Sequence, residues 1–318
     1  MVHEPSPLQG TLRLFQTEPI SLPYFETNAQ HPNKLIFIPG LTDTMGVVPY
    51  LPSLASVLND LEYSLIQFVK CSDLGGFGTS SLEGDAQEIA QLAEHLLTRS
   101  DSPCTGKLVL MGHSTGCQDV VTFLSEERLN LKTGQQILVH GGICQAPVSD
   151  SEYFDSHDGS QNSARELLSK SQECVKKGLP GALLDRSHIS PVRTSLKGRG
   201  EGNSATVLTP AFTAYRFASL NGHHGDDDLF SSYLDSESIV RTLQPALNRA
   251  PLLMLFGMND EYAPPDVDPV QIAKHWETSL RNLPLSTKVV PRANHKVDDA
   301  VAQKTLCDAV ATFLRGLS

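Results

Sequence analysis

Residues 112–116 read GHSTG and match G-x-S-x-G, the pattern of a serine nucleophile on a sharp turn. The turn requires a strand before it and a helix after it, and the sequence predicts a strand at 107–111 and a helix at 117–129. The two glycines leave room for the chain segments to pass closely, and the turn lifts the serine Oγ above the sheet. We predict that Ser114 is a catalytic nucleophile; a turn that serves only packing is the alternative.

A neutral serine hydroxyl is a poor nucleophile and needs a base. His113 is adjacent, but neighbouring side chains diverge on a sharp turn, so we expect His113 to be structural. The order known for this turn is serine, then an acid, then histidine. Asp260 follows a predicted strand at 252–256, and His295 follows one at 287–290. Both lie at carboxyl ends of strands, where the active sites of open α/β sheets are found.

We therefore assign His295 as the general base and then general acid. Asp260 is expected to fix the tautomer of His295 and to stabilise the imidazolium. Glu261 and Asp266 are neighbours that compete for this role, and Asp150, which follows an earlier strand, is a third alternative. A further alternative is that His295 only begins the last helix and has no catalytic role.

A tetrahedral intermediate needs two hydrogen-bond donors for its oxyanion. The backbone N–H of Thr115, next to the nucleophile, is the first candidate. The second is the N–H of Leu41 in the loop IPGLTDTMG at 38–46, which follows an early predicted strand. The alternative for this loop is an ordinary Pro-Gly turn.

Two other motifs resemble sites for a cofactor or a metal, and we expect neither group to bind. LGGFGTSS at 74–81 lacks the Gly-Lys-Ser/Thr ending of a phosphate-binding P-loop and does not fit G-x-G-x-x-G, so it is interpreted as a loop at the rim of the site. HHGDDD at 223–228 is interpreted as a solvated loop. A metal site, or an acidic patch of Asp226, Asp227 and Asp228 for a cationic substrate, remains an alternative.

Short apolar runs alternate with helical patterns, which indicates an α/β fold with a mostly parallel central sheet flanked by helices. The predicted strands are 11–15, 22–25, 34–38, 63–69, 107–111, 136–140, 252–256 and 287–290. The predicted helices of the core are 50–59, 81–99, 117–129, 270–282 and 298–315.

The polar segment from 145 to 250 breaks this rhythm and is too long for a connection within a compact domain. It contains helical patterns at 163–177, 211–220 and 237–248. We predict a core formed by 1–144 and 251–318, with 145–250 inserted as a cap. A disordered loop is the alternative.

The chain has 318 residues and a formal net charge of −11, with 25 Lys and Arg against 36 Asp and Glu. This balance argues against nucleic acid and an anionic membrane as partners. The six cysteines form no Cys-x-x-Cys pair, which favours free thiols in a reducing compartment. Neither a secretory leader nor a membrane span is visible in the sequence. We expect a cytoplasmic enzyme acting on a small molecule, and the sequence does not indicate its oligomeric state.

Together, PGLTD, GGFGTSSL, MGHSTGCQD and the loops of Asp260 and His295 resemble a fungal and plant α/β-hydrolase family long labelled as a domain of unknown function. The resemblance covers roughly 30–145 and 250–316. It implies the α/β-hydrolase fold with an inserted cap. The best-understood members are siderophore esterases of fungi that act inside the cell on fusarinine C-type compounds.

The resemblance therefore implies a serine esterase that releases iron from a ferric hydroxamate siderophore. A carboxylesterase or thioesterase for another acyl substrate is the main alternative. A hydrolase-fold protein that only binds a ligand is a second, although a binding protein has no need of all three catalytic residue types.

Overall fold

A computed structural model describes residues 7–130, 133–157, 162–185 and 210–317 of the chain. Its centre is an eight-stranded sheet with the order β1-β2-β4-β3-β5-β6-β7-β8. The strands are β1 (Thr11–Gln16), β2 (Leu22–Glu26), β3 (Asn33–Ile38), β4 (Tyr63–Phe68), β5 (Leu108–His113), β6 (Gly141–Gln145), β7 (Leu252–Gly257) and β8 (Leu285–Val290). The described α-helices are α1 (Leu51–Asp60), α2 (Leu82–Thr98), α3 (Gly116–Ser125), α4 (Asp150–Ser156), α5 (Asn162–Lys176), α6 (Ala214–Asn221), α7 (Ser236–Leu247), α8 (Pro269–Ser279) and α9 (Ala300–Gly316).

The sheet is antiparallel only at its N-terminal edge. β1 pairs with β2 and β2 pairs with β4 in antiparallel fashion, and every pairing from β4 to β8 is parallel. Parallel strands covered by helices on both faces read as continuous apolar runs, which is why these strands were visible in the sequence. The predicted mostly parallel central sheet flanked by helices is confirmed.

Two apolar clusters fill the two faces of the sheet. One contains side chains of α2, α3, α7 and α8, and the other contains side chains of α1 and α9. Because both clusters are packed against the central strands, the carboxyl ends of β3, β5, β7 and β8 are held as a rigid edge. Large buried members include Leu92, Val120, Leu243 and Trp276 on the first face, and Leu54, Leu306 and Val310 on the second.

One strand prediction was wrong. The apolar run at 136–140 is not a strand, and β6 is the following segment GGICQ. A Cβ on Gly142 would lie 2.5 Å from the side chain of Leu252 and 2.9 Å from that of Leu124. Side chains of α3 and β7 thus pack closely over Gly142, and this tertiary packing places the strand on a glycine-containing segment of low β propensity.

The chain between β6 and β7 contains a separate small cluster above the sheet edge. Residues 158–161 and 186–209 of the predicted insertion lie outside the described residues. The described part contains α4, α5 and α6, which pack around the apolar cluster Phe77, Phe154, Ala164, Leu167, Phe212, Phe217 and Leu220. We call this part the cap.

α7 lies within the predicted insertion, 145–250, but packs with the core. Its buried residues Ile239, Leu243 and Leu247 belong to the first apolar cluster of the sheet, together with side chains of α3 and α8. By its packing, α7 belongs to the core, and the cap ends before this helix.

None of the helices in the part of the chain that the structure describes has an apolar stretch of the length that a bilayer crossing requires.

Candidate active site

Ser114 lies on a strained turn between β5 and α3. Its φ is 55°, a left-handed conformation that is uncommon for residues other than glycine. A Cβ on Gly112 would lie 2.1 Å from the carbonyl oxygen of Gly116, and one on Gly116 would lie 2.4 Å from that of Ile38. Both positions of the motif must therefore be glycine for the strand and the helix to pass this closely. The turn projects Ser114 at the carboxyl edge of the sheet, the geometry that G-x-S-x-G requires.

The structure brings together Ser114, His295 and Asp260. The Nε2 of His295 lies 2.9 Å from the Oγ of Ser114. Its Nδ1 lies 2.9 Å from each carboxylate oxygen of Asp260. With Nδ1–H donating to Asp260, Nε2 carries the lone pair that accepts the serine proton. The arrangement is chemically able to generate a serine nucleophile.

The loops that hold the acid and the histidine are joined by backbone contacts. The N–H of Met258 donates to the carbonyl of Val290 at 3.1 Å, and the N–H of Asn259 donates to that of Ala293 at 2.9 Å. A Cβ on Gly257 would lie 2.8 Å from the Ala293 oxygen. These contacts fix the loop after β7 against the loop after β8, so that the two side chains meet.

The alternative acids occupy other positions. The carboxylate of Glu261 accepts a hydrogen bond from the backbone N–H of His295 at 2.9 Å, so it holds the loop that bears the histidine. The carboxyl of Asp150 accepts a hydrogen bond from the Nε2 of Gln118 at 3.0 Å. Burial, followed by the nearby charge of Asp227, raises the pKa of Asp150 to about 8. Asp266 is exposed.

His113 is fully buried and does not bond Ser114. Its Nδ1 lies 2.6 Å from the Oε1 of Gln145, as expected for a structural histidine. Burial lowers its pKa well below the usual value, so it is neutral. Its ring nevertheless lies beneath that of His295, with 4.9 Å between the ring centroids.

Gln145 is a site residue that the sequence analysis did not find. It ends β6, is 1% exposed, and uses both ends of its amide. The Oε1 accepts from His113 and from the hydroxyl of Tyr50, the latter at 2.9 Å. The Nε2 donates to the backbone carbonyl of His295 at 3.1 Å. Gln145 thereby connects the strand of the nucleophile to the loop of the histidine.

The predicted oxyanion loop lies directly beside Ser114. A Cβ on Gly40 would be only 2.7 Å from the Cβ of Ser114, so the loop after β3 reaches the nucleophile only because residue 40 is glycine. Leu41 follows at once. Among the described residues, neither the N–H of Leu41 nor that of Thr115 donates a hydrogen bond, so both remain available.

The helix that follows the turn of Ser114 contributes a buried acid to a cluster with a lysine and a second acid. Asp119 of CQD accepts from the Nζ of Lys70 at 2.6 Å, and the same Nζ lies 3.2 Å from Asp85. Burial raises the pKa of Asp119 to about 7. These contacts join α3 to α2 and to the loop after β4.

The acidic run at 226–228 is not an open patch. Asp227 is 1% exposed and pairs with Arg216 at 2.5 Å, and Asp228 accepts from the hydroxyls of Ser231 and Tyr233. The interpretation of HHGDDD as a solvated loop is wrong for these two residues, because they hold the cap together. Among the described residues no group of three or more His, Cys, Asp or Glu side chains converges as a metal site.

Comparisons with known proteins match nearly the whole chain. A family model described as a protein of unknown function, DUF1749, matches residues 1–315. A UPF0613 protein of Schizosaccharomyces pombe is 30% identical over 295 residues, which cover 88% of this chain and 87% of that protein. The fusarinine C esterase sidJ of Aspergillus fumigatus is 26% identical over 351 residues, which cover 98% of this chain and 96% of the esterase.

A solved structure extends the likeness to the fold. The siderophore hydrolase EstB from Aspergillus fumigatus has a TM-score of 0.73 and 27% identity, with 97% of each chain covered. The predicted α/β-hydrolase fold is confirmed. Because the likeness covers entire chains, it includes the region between β6 and β7 as well as the sheet.

Proposed function

Since this chain belongs to the DUF1749 family and is an esterase-type hydrolase of the α/β-hydrolase fold, we propose that Ser114, His295 and Asp260 form its catalytic triad. The observation that carries the proposal is the continuous series of hydrogen bonds from Ser114 Oγ through His295 to Asp260, each 2.9 Å long. Leu41 and Thr115 are proposed as the oxyanion donors.

In the first half-reaction, Ser114 Oγ attacks the ester carbonyl carbon while its proton passes to His295 Nε2. The carbonyl oxygen becomes an oxyanion and is bound by the backbone N–H groups of Leu41 and Thr115. The carbon–oxygen bond to the leaving alcohol then breaks, and His295 donates its proton to that oxygen. Asp260 stabilises the imidazolium throughout.

In the second half-reaction, water attacks the acyl group on Ser114. His295 accepts a proton from the water and returns it to Ser114 Oγ as the acyl–enzyme bond breaks. The products are a carboxylic acid and an alcohol, and the enzyme is restored. Neither step requires a cofactor.

We propose further that the substrate is a ferric hydroxamate siderophore of the fusarinine C type, because sidJ is a fusarinine C esterase and EstB is a siderophore hydrolase. Such a substrate joins three hydroxamate units by ester bonds around one ferric ion. Hydrolysis separates the units, and the effective concentration that kept the second and third units on the metal is lost. Iron is cargo in this scheme, and the cap would select the bulky ligand.

Action inside the cell fits the state of the thiols. All six cysteines are free, and four of them are buried. Free thiols are typical of a reducing compartment. We propose the cytoplasm as the place where the siderophore is opened.

A carboxylesterase or thioesterase for another acyl substrate uses the same residues and is the second candidate. The two are separated by incubating the protein with ferric fusarinine C, its triacetylated form and a hydroxamate siderophore without ester bonds, and by analysing the products by mass spectrometry. The proposal predicts linear fragments from an ester-linked compound only, and none with Ser114→Ala. If the protein hydrolyses chromogenic esters but none of the ester-linked siderophores, the second candidate function is favoured.

A further inference from the structure

An apolar groove lies on the face of the sheet that α1 covers, next to the antiparallel edge. Its volume is about 410 Å³, within the range of about 300–1,000 Å³ that is common for small-molecule sites. Residues of β1, β2, β4, the loop after β3 and the first turn of α1 contribute to it. We call it the edge groove. Its lining includes Leu12, Phe25, Met45, Val48, Leu51 and Gln67.

Three paired residues form a row along the edge groove. Leu12 of β1 is the partner of Phe25 of β2, and Phe25 is in turn the partner of Gln67 of β4. Side chains of directly paired residues point to the same face of a sheet, so the three line one continuous surface. Leu12 is 65% exposed at the outer end of the row, and Gln67 is 3% exposed at the inner end. The groove therefore leads from solvent to a buried polar group.

The amide of Gln67 has its oxygen hydrogen-bonded and its nitrogen free. The Oε1 accepts a hydrogen bond from the backbone N–H of Gly46 at 2.8 Å, which identifies the oxygen end of the amide. The Nε2 donates to no atom within the part of the chain that the structure describes. A buried donor without a partner is unfavourable, so a ligand that brings an acceptor to this nitrogen gains a hydrogen bond.

The rest of the lining favours a neutral and mainly apolar ligand. Among the described residues that line the edge groove, Gln67 is the one with a polar side chain, and none is charged. Moving a charged group out of water is costly unless an opposite charge pairs with it. A carbonyl oxygen accepts from Gln67 without that cost, and the apolar remainder of the ligand is buried against the other lining residues.

The edge groove is separate from the site of Ser114, although one loop contributes to both. Gly40, near the start of the loop after β3, lies beside Ser114, whereas Met45 and Gly46 of the same loop line the groove. The lining contains neither a residue of the proposed triad nor one of the two proposed oxyanion donors. A ligand in the groove would therefore not occupy the position of the ester.

We propose that the edge groove is a binding site for a small, neutral, apolar molecule whose carbonyl oxygen accepts a hydrogen bond from Gln67 Nε2. The site goes beyond the proposed esterase function and does not depend on it. Such a ligand would cover Leu12, whose exposure beside an apolar groove is typical of a surface that binds a partner molecule. The depth of the groove and the buried amide at its inner end favour a small molecule over a flat protein surface.

The test measures binding of Prodan, a neutral naphthalene ketone whose fluorescence shifts to shorter wavelength in an apolar site. We expect the wild type to bind one dye molecule per chain. Leu12→Asp should weaken binding by about 10-fold, because a carboxylate then faces the apolar lining. Leu14→Asp is the matched control on the same strand, since Leu14 is also exposed but lies outside the lining, and its Kd should equal that of the wild type.

A second comparison tests the hydrogen bond. Gln67→Met keeps the length of the side chain but removes the donor, so binding of Prodan should weaken by about 2- to 10-fold. Binding of 2-(dimethylamino)naphthalene, which lacks the ketone, should hardly change in this variant. Equal weakening of both dyes would mean that Gln67 only shapes the groove, and would overturn the proposed hydrogen bond.

Three further results would overturn the site itself. One is the absence of saturable binding, and another is a Kd that Leu12→Asp leaves unchanged. Competitive inhibition of p-nitrophenyl acetate hydrolysis by Prodan would place the dye at Ser114 instead. A dimer that Leu12→Asp dissociates, together with no dye binding to the wild type, would assign the groove to an interface between two copies of the chain. Absence of all esterase activity would refute the proposed function and leave the binding result unaffected.

Discussion

The catalytic core and the cap hold their polar groups in different ways. In the core, backbone geometry positions the polar side chains. Ser114 lies on a turn with a φ of 55°, and Asp260 and His295 follow the ends of neighbouring strands. In the cap, buried side chains hold one another, as Arg216 and Asp227 do at 2.5 Å. Motifs and strand ends mark the first arrangement in the sequence, whereas no motif marks the side-chain pairs of the second. Changes in the core should therefore affect kcat, while changes in the cap should affect stability and substrate choice.

The largest expected effect separates the two histidines of the core. His295→Asn should lower kcat by on the order of 10⁶-fold, because the base and the proton donor are lost together. His113→Asn should cost less than about 10²-fold, because it disturbs only the support under His295. Steady-state kinetics on a chromogenic ester measure both. Equal losses would mean that His113 takes part in proton transfer.

A smaller loss is expected when the oxyanion loop is displaced. Gly40→Ala introduces a Cβ 2.7 Å from that of Ser114, so the loop bearing Leu41 must move away. We expect kcat to fall by about 10²- to 10³-fold, the cost of one oxyanion donor. Gly75→Ala is the control, since its Cβ would meet nothing within 4 Å. Wild-type kcat in Gly40→Ala would remove this loop from the oxyanion site.

Removing the Gln145 amide should have a moderate effect. Gln145→Met keeps the length of the side chain but leaves His113, Tyr50 and the His295 carbonyl without this partner. We expect kcat to fall by about 10- to 10²-fold through misplacement of His295, with little change in KM.

Gln145→Glu tests the same position by charge. A carboxylate near His295 favours the imidazolium, so the acidic limb of the kcat/KM profile should move to higher pH. An unchanged profile together with wild-type kcat in Gln145→Met would show that Gln145 serves only the fold.

The smallest effect on activity is expected in the cap. The folded chain keeps a proton on Asp150 up to a pH of about 8, whereas the unfolded chain releases it near the ordinary carboxyl value of 3.8. Stability should therefore fall as the pH rises between these values. Asp150→Asn should raise Tm by several degrees at pH 8 and hardly at pH 4, with kcat nearly unchanged. A Tm difference that is the same at both pH values would contradict this reasoning.

The contrast also explains what the sequence could predict. Seven of the eight strands were predicted close to their observed positions. The central parallel strands were visible because buried parallel strands are continuous apolar runs bounded by turns. GHSTG located Ser114, and the strand ends located Asp260 and His295. The β6 prediction was wrong because tertiary packing by α3 and β7 places the strand on the segment that contains Gly142, and single-sequence propensity does not contain this packing.

The features that the sequence did not predict depend on contacts between residues of different structural elements. Gln145 has no motif, and its role follows only when its two amide ends are seen to reach His113 and His295. Tyr153 and Tyr262 lie on different elements and meet across the boundary of cap and core. No local pattern predicts that the carboxylates of Asp227 and Asp228 turn inward.

The central claim is that Ser114 becomes acylated by the ester and that His295 activates it. The most direct measurement is labelling with a p-nitrophenyl phosphonate ester, which stops at the covalent stage, followed by peptide mass spectrometry. The account predicts one phosphonate per chain, on Ser114, and a greatly reduced labelling rate in His295→Asn. Labelling of another residue, or full esterase activity in Ser114→Ala, would contradict it.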